Sequence, residues 1–291
     1  MFGVSKQAYY KSDGASVARK AAQESFVLEF IRKTRSMDPG IGGMKLWHMY
    51  RDEFPDEARV GRDRFEDIID RYGLKVRKKM RKPRTTDSSH GLPLFPNLTK
   101  DLIPTAVNQL WVSDITYIPV WLDTSRYTFC YLSMVTDAYS HEITGWAVGP
   151  SLASAYPLQA LEMAKGHLGD DARGLIHHSD RGVQYASREY VEALSSRGIR
   201  VSMSENGDPK ENAIAERVNS TMKNELLMGM RFQSLEEVRG AVDKAVSFYN
   251  NMRPHMSLDM MTPAQAALCH GELSKRWRSY REEGIKKNRA E

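Results

Sequence analysis

Hydrophobic periodicity divides the chain into an all-helical beginning and a mixed α/β remainder. Residues 21–37 (AAQESFVLEFIRKTRSM) place Phe26, Val27, Phe30 and Ile31 on one helical face. The stretch DPGIGG (38–43) breaks that helix. Residues 45–54 read as a second short helix with Leu46, Met49 and Tyr50 inward. Residues 63–72 read as a third with Phe65, Ile68 and Ile69 inward. Three short helices joined by glycine-containing turns suit a small helix-turn-helix-like module, and equally a generic helical bundle.

From Leu110 the period changes. LWVSDITYIPVWL (110–122) is a β-branched and aromatic run with rough alternation, so it predicts a strand. Further strands are predicted at 127–135, 143–148, 174–177 and 199–203, and helices at 153–168, 187–196, 211–227 and 234–251. The order β-β-β-α-β-α-β-α-α begins with adjacent strands and fits an α/β fold, a mixed five-stranded sheet flanked by helices. The resulting division is a helical module at 1–74, a basic and extended linker at 75–104, a catalytic-size core at 105–270 and a basic tail at 271–291.

Charge follows this division. The whole chain of 291 residues carries +5. Residues 1–84 hold 20 Lys and Arg against 12 Asp and Glu, whereas residues 105–270 hold 14 against 19. A basic beginning suits phosphate tracking and an acidic core suits cations, although basic surfaces often only solubilise. RYGLKVRKKMRKPR (71–84) packs eight Lys and Arg into fourteen residues. A solvated linker and a linker lying along a DNA backbone through Lys78, Lys79, Arg81 and Lys82 are both consistent with it. No apolar run approaches the ~18–20 residues that span a bilayer. Cys130 and Cys269 are too far apart to form a zinc-type pair.

Three carboxylates stand out by position. Asp114 lies inside a strand, where Asp fits poorly. Asp180 follows a strand end in HHSDRGVQYAS (177–187), where open α/β sheets bind ligands. Glu216 lies on the helix 211–227, off the centre of the stripe Ile214, Val218, Met222 and Leu226. Singly, these are a satisfied core group, a turn cap and a solvated surface acid. Together they are more specific, with 35 residues between Asp180 and Glu216.

The segments NQLWVSDITY (108–117), HHSDRGVQYAS (177–187), GDPKENAIAERVNSTMKNEL (207–226) and FYNNMRPHMSLDMMTPAQA (248–266) resemble the integrase-type transposases of insertion sequence family three, in their second-reading-frame product. The resemblance implies an RNase-H-like catalytic core and a DNA transposase that cleaves element ends and transfers strands. It maps an Asp, Asp, Glu triad onto Asp114, Asp180 and Glu216, and a basic residue onto Lys223. It also implies Mg²⁺ as cofactor, with Mn²⁺ as a substitute, and a circular intermediate. Two ions would be held by the triad, Asp114 bridging both.

Arg181, Arg217 and Lys223 are candidate phosphate contacts by sequence or helical phase. Of the adjacent histidines, His178 is expected near the site and His177 packed away, because neighbours on a strand face opposite ways. Implied partners are double-stranded DNA at element ends and target, a second copy for pairing the ends, and a first-reading-frame product or fusion. Implied localisation is the bacterial cytoplasm, at the nucleoid. The competing readings are a DNA-binding regulator on a decayed catalytic fold and a metal-dependent nuclease.

Overall fold

The computed structural model describes residues 14–54, 59–76, 92–168, 172, 174–205, 209–277 and 279–290. The chain forms two compact units, Met1–Lys78 and Lys79–Glu291.

In the first unit, α1 (Gly14–Met37), α2 (Gly43–Glu53) and α3 (Arg62–Arg71) enclose one apolar centre. Val27, Phe30, Ile31, Leu46, Tyr50, Phe65, Ile68 and Ile69 are all buried there. Phe30 meets Tyr50 edge-on at 5.3 Å, and Tyr50 stacks on Phe54 at 4.6 Å. Phe26, expected inward, is half exposed instead. The burying stripe is narrower than the apolar face, so its flanking ring is left in solvent.

The second unit carries β1 (Leu110–Trp121), β2 (Tyr127–Asp137), β3 (Ile143–Gly149), α4 (Ala155–Lys165), β4 (Ile176–Ser179), α5 (Val183–Ala186), α6 (Arg188–Ser195) and β5 (Arg200–Met203). After β5 come a 3₁₀ turn (Pro209–Asn212), α7 (Ala213–Thr221), a π-helical turn (Met222–Leu226), α8 (Leu235–Asn251), α9 (Pro263–Ala266) and α10 (Tyr280–Ala290). The sheet order is β3-β2-β1-β4-β5. β1, β2 and β3 are antiparallel neighbours, while β4 and β5 run parallel to β1. This is the expected mixed five-stranded, RNase-H-like sheet.

Trp111, Val135, Leu161, Tyr190 and Leu194 fill one side of the sheet, under α4 and α6. On β3, a Cβ at Gly145 would lie 2.0 Å from the Ala160 carbonyl oxygen, so only glycine lets α4 sit this close. Leu110, Val112, Ile176 and Ala215 fill the other side, under α7. Residues 92–104 lie against this core, with the Leu98 amide donating to Ser202 Oγ at 2.9 Å. Within 271–291, α10 buries Ile285 and its Arg281 donates to the Thr99 carbonyl at 2.6 Å. Lys78, Lys79, Arg81 and Lys82 lie outside the described residues. Among the described residues no helix is long and apolar enough to cross a membrane.

Candidate active site

The site follows from where β4 leaves β1. The two strands pair only from Leu110↔Ile176 to Val112↔His178. Asp114 stands two residues further along β1, past the last pair, and Asp180 follows the end of β4. The helix α7 is tied to Asp114 through Asn219, and its exposed Glu216 acts on Asp114 electrostatically.

Asp114 is held at both oxygens. Its Oδ1 accepts from the Ile115 amide at 2.8 Å, and its Oδ2 accepts from Asn219 Nδ2 at 2.7 Å. Even so, its pKa is pushed up to about 7. Burial is the largest cause, the charge of Asp180 the next, and Glu216 adds to it; the two hydrogen bonds oppose the rise. Asp180 and Glu216 thus both act electrostatically on Asp114, although Asp180 lies 66 positions from it and Glu216 lies 102. Among the described residues, no three His, Cys, Asp or Glu side chains are gathered closely enough to hold a metal ion as they stand. Asp180 accepts from the Gly182 amide at 3.0 Å, so it also shapes the turn after β4.

Another acid of this unit, Asp137, is fully buried and plays a different part. It accepts from the amides of Asn108, Tyr139 and Ser140 and from Ser140 Oγ, at 2.8–3.0 Å. Four donors occupy its oxygens, so it locks the start of β1 to the β2–β3 turn.

The predicted basic residues have distinct settings. Arg181 Nε donates to the Ser204 carbonyl at 2.7 Å and joins the Asp180 turn to the end of β5. Arg217 is exposed, next to Glu216. Lys223 lies with Nζ 3.6 Å over the Tyr117 ring. The helix expected over 211–227 is not uniform. It begins as a 3₁₀ turn, and from Met222 it widens to π geometry, with the Leu227 amide donating to the Met222 carbonyl at 2.9 Å. Arg253 grips the widened turn, donating to both oxygens of Glu225 at 2.7 and 3.0 Å.

His177 and His178 are both fully buried, on opposite sides of β4. His177 Nε2 meets Ser113 Oγ at 2.8 Å and Tyr190 Oη at 2.9 Å. His178 Nδ1 meets Ser202 Oγ at 2.9 Å. Burial holds both rings well below the usual histidine pKa.

Asn219 and Asn212 escaped the sequence reading. Asn219 is buried three positions after Glu216, and Asn212 donates to the Ser113 carbonyl at 2.9 Å. Their available signal was an amide at helical spacing from an acid, which is common on any helix.

A mixed sheet in this order, with Asp114 and Asp180 where β1 and β4 part, has the form of an integrase-type core. Residues 104–209 match the integrase core domain family, and residues 197–263 match a second family of the same description. The chain is 34% identical over 272 residues to the insertion element IS600 uncharacterized 31 kDa protein of Shigella sonnei, covering 91% of this chain and 95% of that one. It is 32% identical over 200 residues to the transposase InsF for insertion sequence IS3A of Escherichia coli, covering 67% and 66%. A structure of the HTLV-2 integrase catalytic core domain in complex with magnesium superposes with a TM-score of 0.42 at 20% identity, covering 56% of this chain and 97% of that one. The chain belongs to the IS3-family transposases of the second-reading-frame type. It is a DNA transposase with a DDE-type polynucleotidyl transferase core.

Proposed function

We propose that Asp114, Asp180 and Glu216 are the catalytic acids, and that they hold two Mg²⁺ ions for cleavage at element ends and for strand transfer. The observation that carries this reading is the raised pKa of Asp114, in which Asp180 and Glu216 both act. Three carboxylates, two of which raise the third by their charge, offer only hard oxygen donors, the set that Mg²⁺ takes. A cation held by them would offset the rise of Asp114, which burial causes first and the charges of Asp180 and Glu216 increase. Bound ions supply charge stabilisation for the attacking and leaving oxygens of an in-line displacement at phosphorus.

The chain's own residues set the geometry. Asn219 and the Ile115 amide fix the Asp114 carboxylate, and the Gly182 amide fixes Asp180. Arg181, Arg217 and Lys223 contact phosphates beside the acids, and Lys78, Lys79, Arg81 and Lys82 contact them along the linker. The helical unit 1–74 assists in holding element DNA at the nucleoid. Pairing of two ends requires at least a dimer, and a first-reading-frame segment supplies further end recognition.

The test is cleavage and strand transfer on oligonucleotides bearing the element ends, with Mg²⁺, for the wild type and Asp180→Ala. The variant is expected to bind the DNA and to lose both reactions. Cleavage at the wild-type rate would remove Asp180 from the acid set.

A further inference from the structure

The distal half of the β1–β2 hairpin carries an aromatic face that the acids do not use. Tyr117, Pro119 and Trp121 stand directly opposite Tyr131, Phe129 and Tyr127. The alternate residues Ile118, Val120, Cys130 and Leu132 are buried, so the aromatic side faces outward, with Tyr127 50% exposed. The rings run without a break: Tyr117 to Phe129 at 5.0 Å, Phe129 to Tyr127 at 5.3 Å, and Tyr127 to Trp121 at 5.1 Å. Two cations reach over this ladder from the segment after α7. Lys223 lies 3.6 Å over Tyr117, and the exposed Arg231 lies 3.8 Å over Trp121. That segment is strapped to the strand, because the Trp121 amide donates to the Phe232 carbonyl at 2.7 Å. The one acid at the hairpin tip, Asp123, is paired with Arg126 at 2.6 Å.

We propose that this face receives unpaired nucleotides of the DNA strand beside the scissile phosphate, with bases stacked on the ladder and phosphates along Lys223 and Arg231. The proposal rests on the placement of the catalytic acids above. Aromatic rings interleaved with cations suit bases and backbone together, and a guanidinium plane stacks a base as well. Tyr117 lies three residues past Asp114, about 10 Å along β1 and on its other face, and Lys223 reaches it from the turn that follows the helix of Glu216. Base stacking discriminates between DNA forms. The rings touch one another at 5.0–5.3 Å and present one continuous aromatic face. Bases in one strand of a duplex rise about 3.4 Å and are already stacked on each other. A strand drawn out of the duplex offers its base faces to the ladder, whereas an intact duplex does not.

The test uses the full chain without divalent ions and measures fluorescence anisotropy with two labelled DNAs. One is a blunt duplex; the other is the same duplex continued into three unpaired thymidines. Wild type is expected to bind the second at least about five-fold tighter, the low end of what one base–aromatic contact contributes. Tyr127→Leu, combined with Phe129→Leu, is expected to reduce that complex to the affinity of the blunt one, and Tyr127→Phe to keep the preference. Equal binding of the two DNAs by wild type would overturn the proposal, as would a preference that survives the double leucine variant. So would loss of a dimer on sedimentation of that variant, which would give the face to a second copy. Asp180→Ala is expected to keep the preference, so failure of the acid assignment and failure of the ladder are read separately.

Discussion

Asn219 Nδ2 donates to Asp114 Oδ2 at 2.7 Å, joining the helix of one acid to the strand of another across 105 positions. The amide presents only its donor end to the carboxylate, so it orients Asp114 while leaving it an acceptor. Partners that orient a metal-binding carboxylate typically contribute about 10–100-fold in metal affinity or activity. Asn219→Ala is therefore expected to lower strand cleavage by about that factor, and to raise the Mg²⁺ needed for half-maximal rate. An unchanged Mg²⁺ titration would reduce Asn219 to a packing residue.

Gly182 lies at φ −63°, a conformation open to any residue. A Cβ there would meet Asp180 Oδ1 and Gln184 Oε1, each at 3.0 Å. Gly182→Ala is thus expected to displace the Asp180 carboxylate with a stability change below about 1 kcal/mol. Cleavage rate and thermal unfolding, measured side by side, are expected to separate, the rate falling while Tm holds.

Arg253 and Glu225 form a two-pronged ion pair whose arginine is 4% exposed and whose glutamate is 18% exposed. Removing one partner of a buried pair leaves the other charge poorly solvated, at a cost of about 3–5 kcal/mol. Arg253→Met is expected to destabilise the second unit by about that amount. Adding Glu225→Met is expected to recover most of it, as read from denaturant midpoints. If the double variant is no more stable than the single one, the pair is not what fixes the π turn.

His177 is fully buried, and its pKa is pushed down to about 3, first by burial and then by His178. A histidine depressed in the fold binds its proton more readily when unfolded. Its contribution to stability is present above the ordinary value near 6.5 and is lost as pH falls toward 3. Unfolding free energy is expected to decline with acid in that window by up to about 1.4 kcal/mol per pH unit for this one group. His177→Gln is expected to flatten the decline, which denaturation at pH 4 and 7 measures.

Replacing Lys78, Lys79, Arg81 and Lys82 by Gln is expected to weaken DNA binding and to flatten its salt dependence. Each lost phosphate contact lowers the slope of log K against log salt by about 0.9. A slope equal to that of wild type would make this run a spacer.

The apolar periods located all five strands and the three helices of the first unit, because burial of one face leaves its mark every two or 3.6 residues. An acid in the middle of β1 was legible as an anomaly for the same reason: nothing local favours Asp114 there. Phe26 was misread because a periodic pattern does not tell how wide the buried stripe is. Only the tertiary structure decided who stands beside whom. Asp114 meets Asn219, His178 meets Ser202 and Arg253 meets Glu225 because β4 crosses to pair with β1 and α7 then packs on the sheet. Such pairings depend on the crossover and on the π turn at Met222–Leu226, and neither leaves a period in the chain. The residue types of the site were therefore written locally, while their electrostatic coupling and their supports arose from the packing of segments about 100 positions apart.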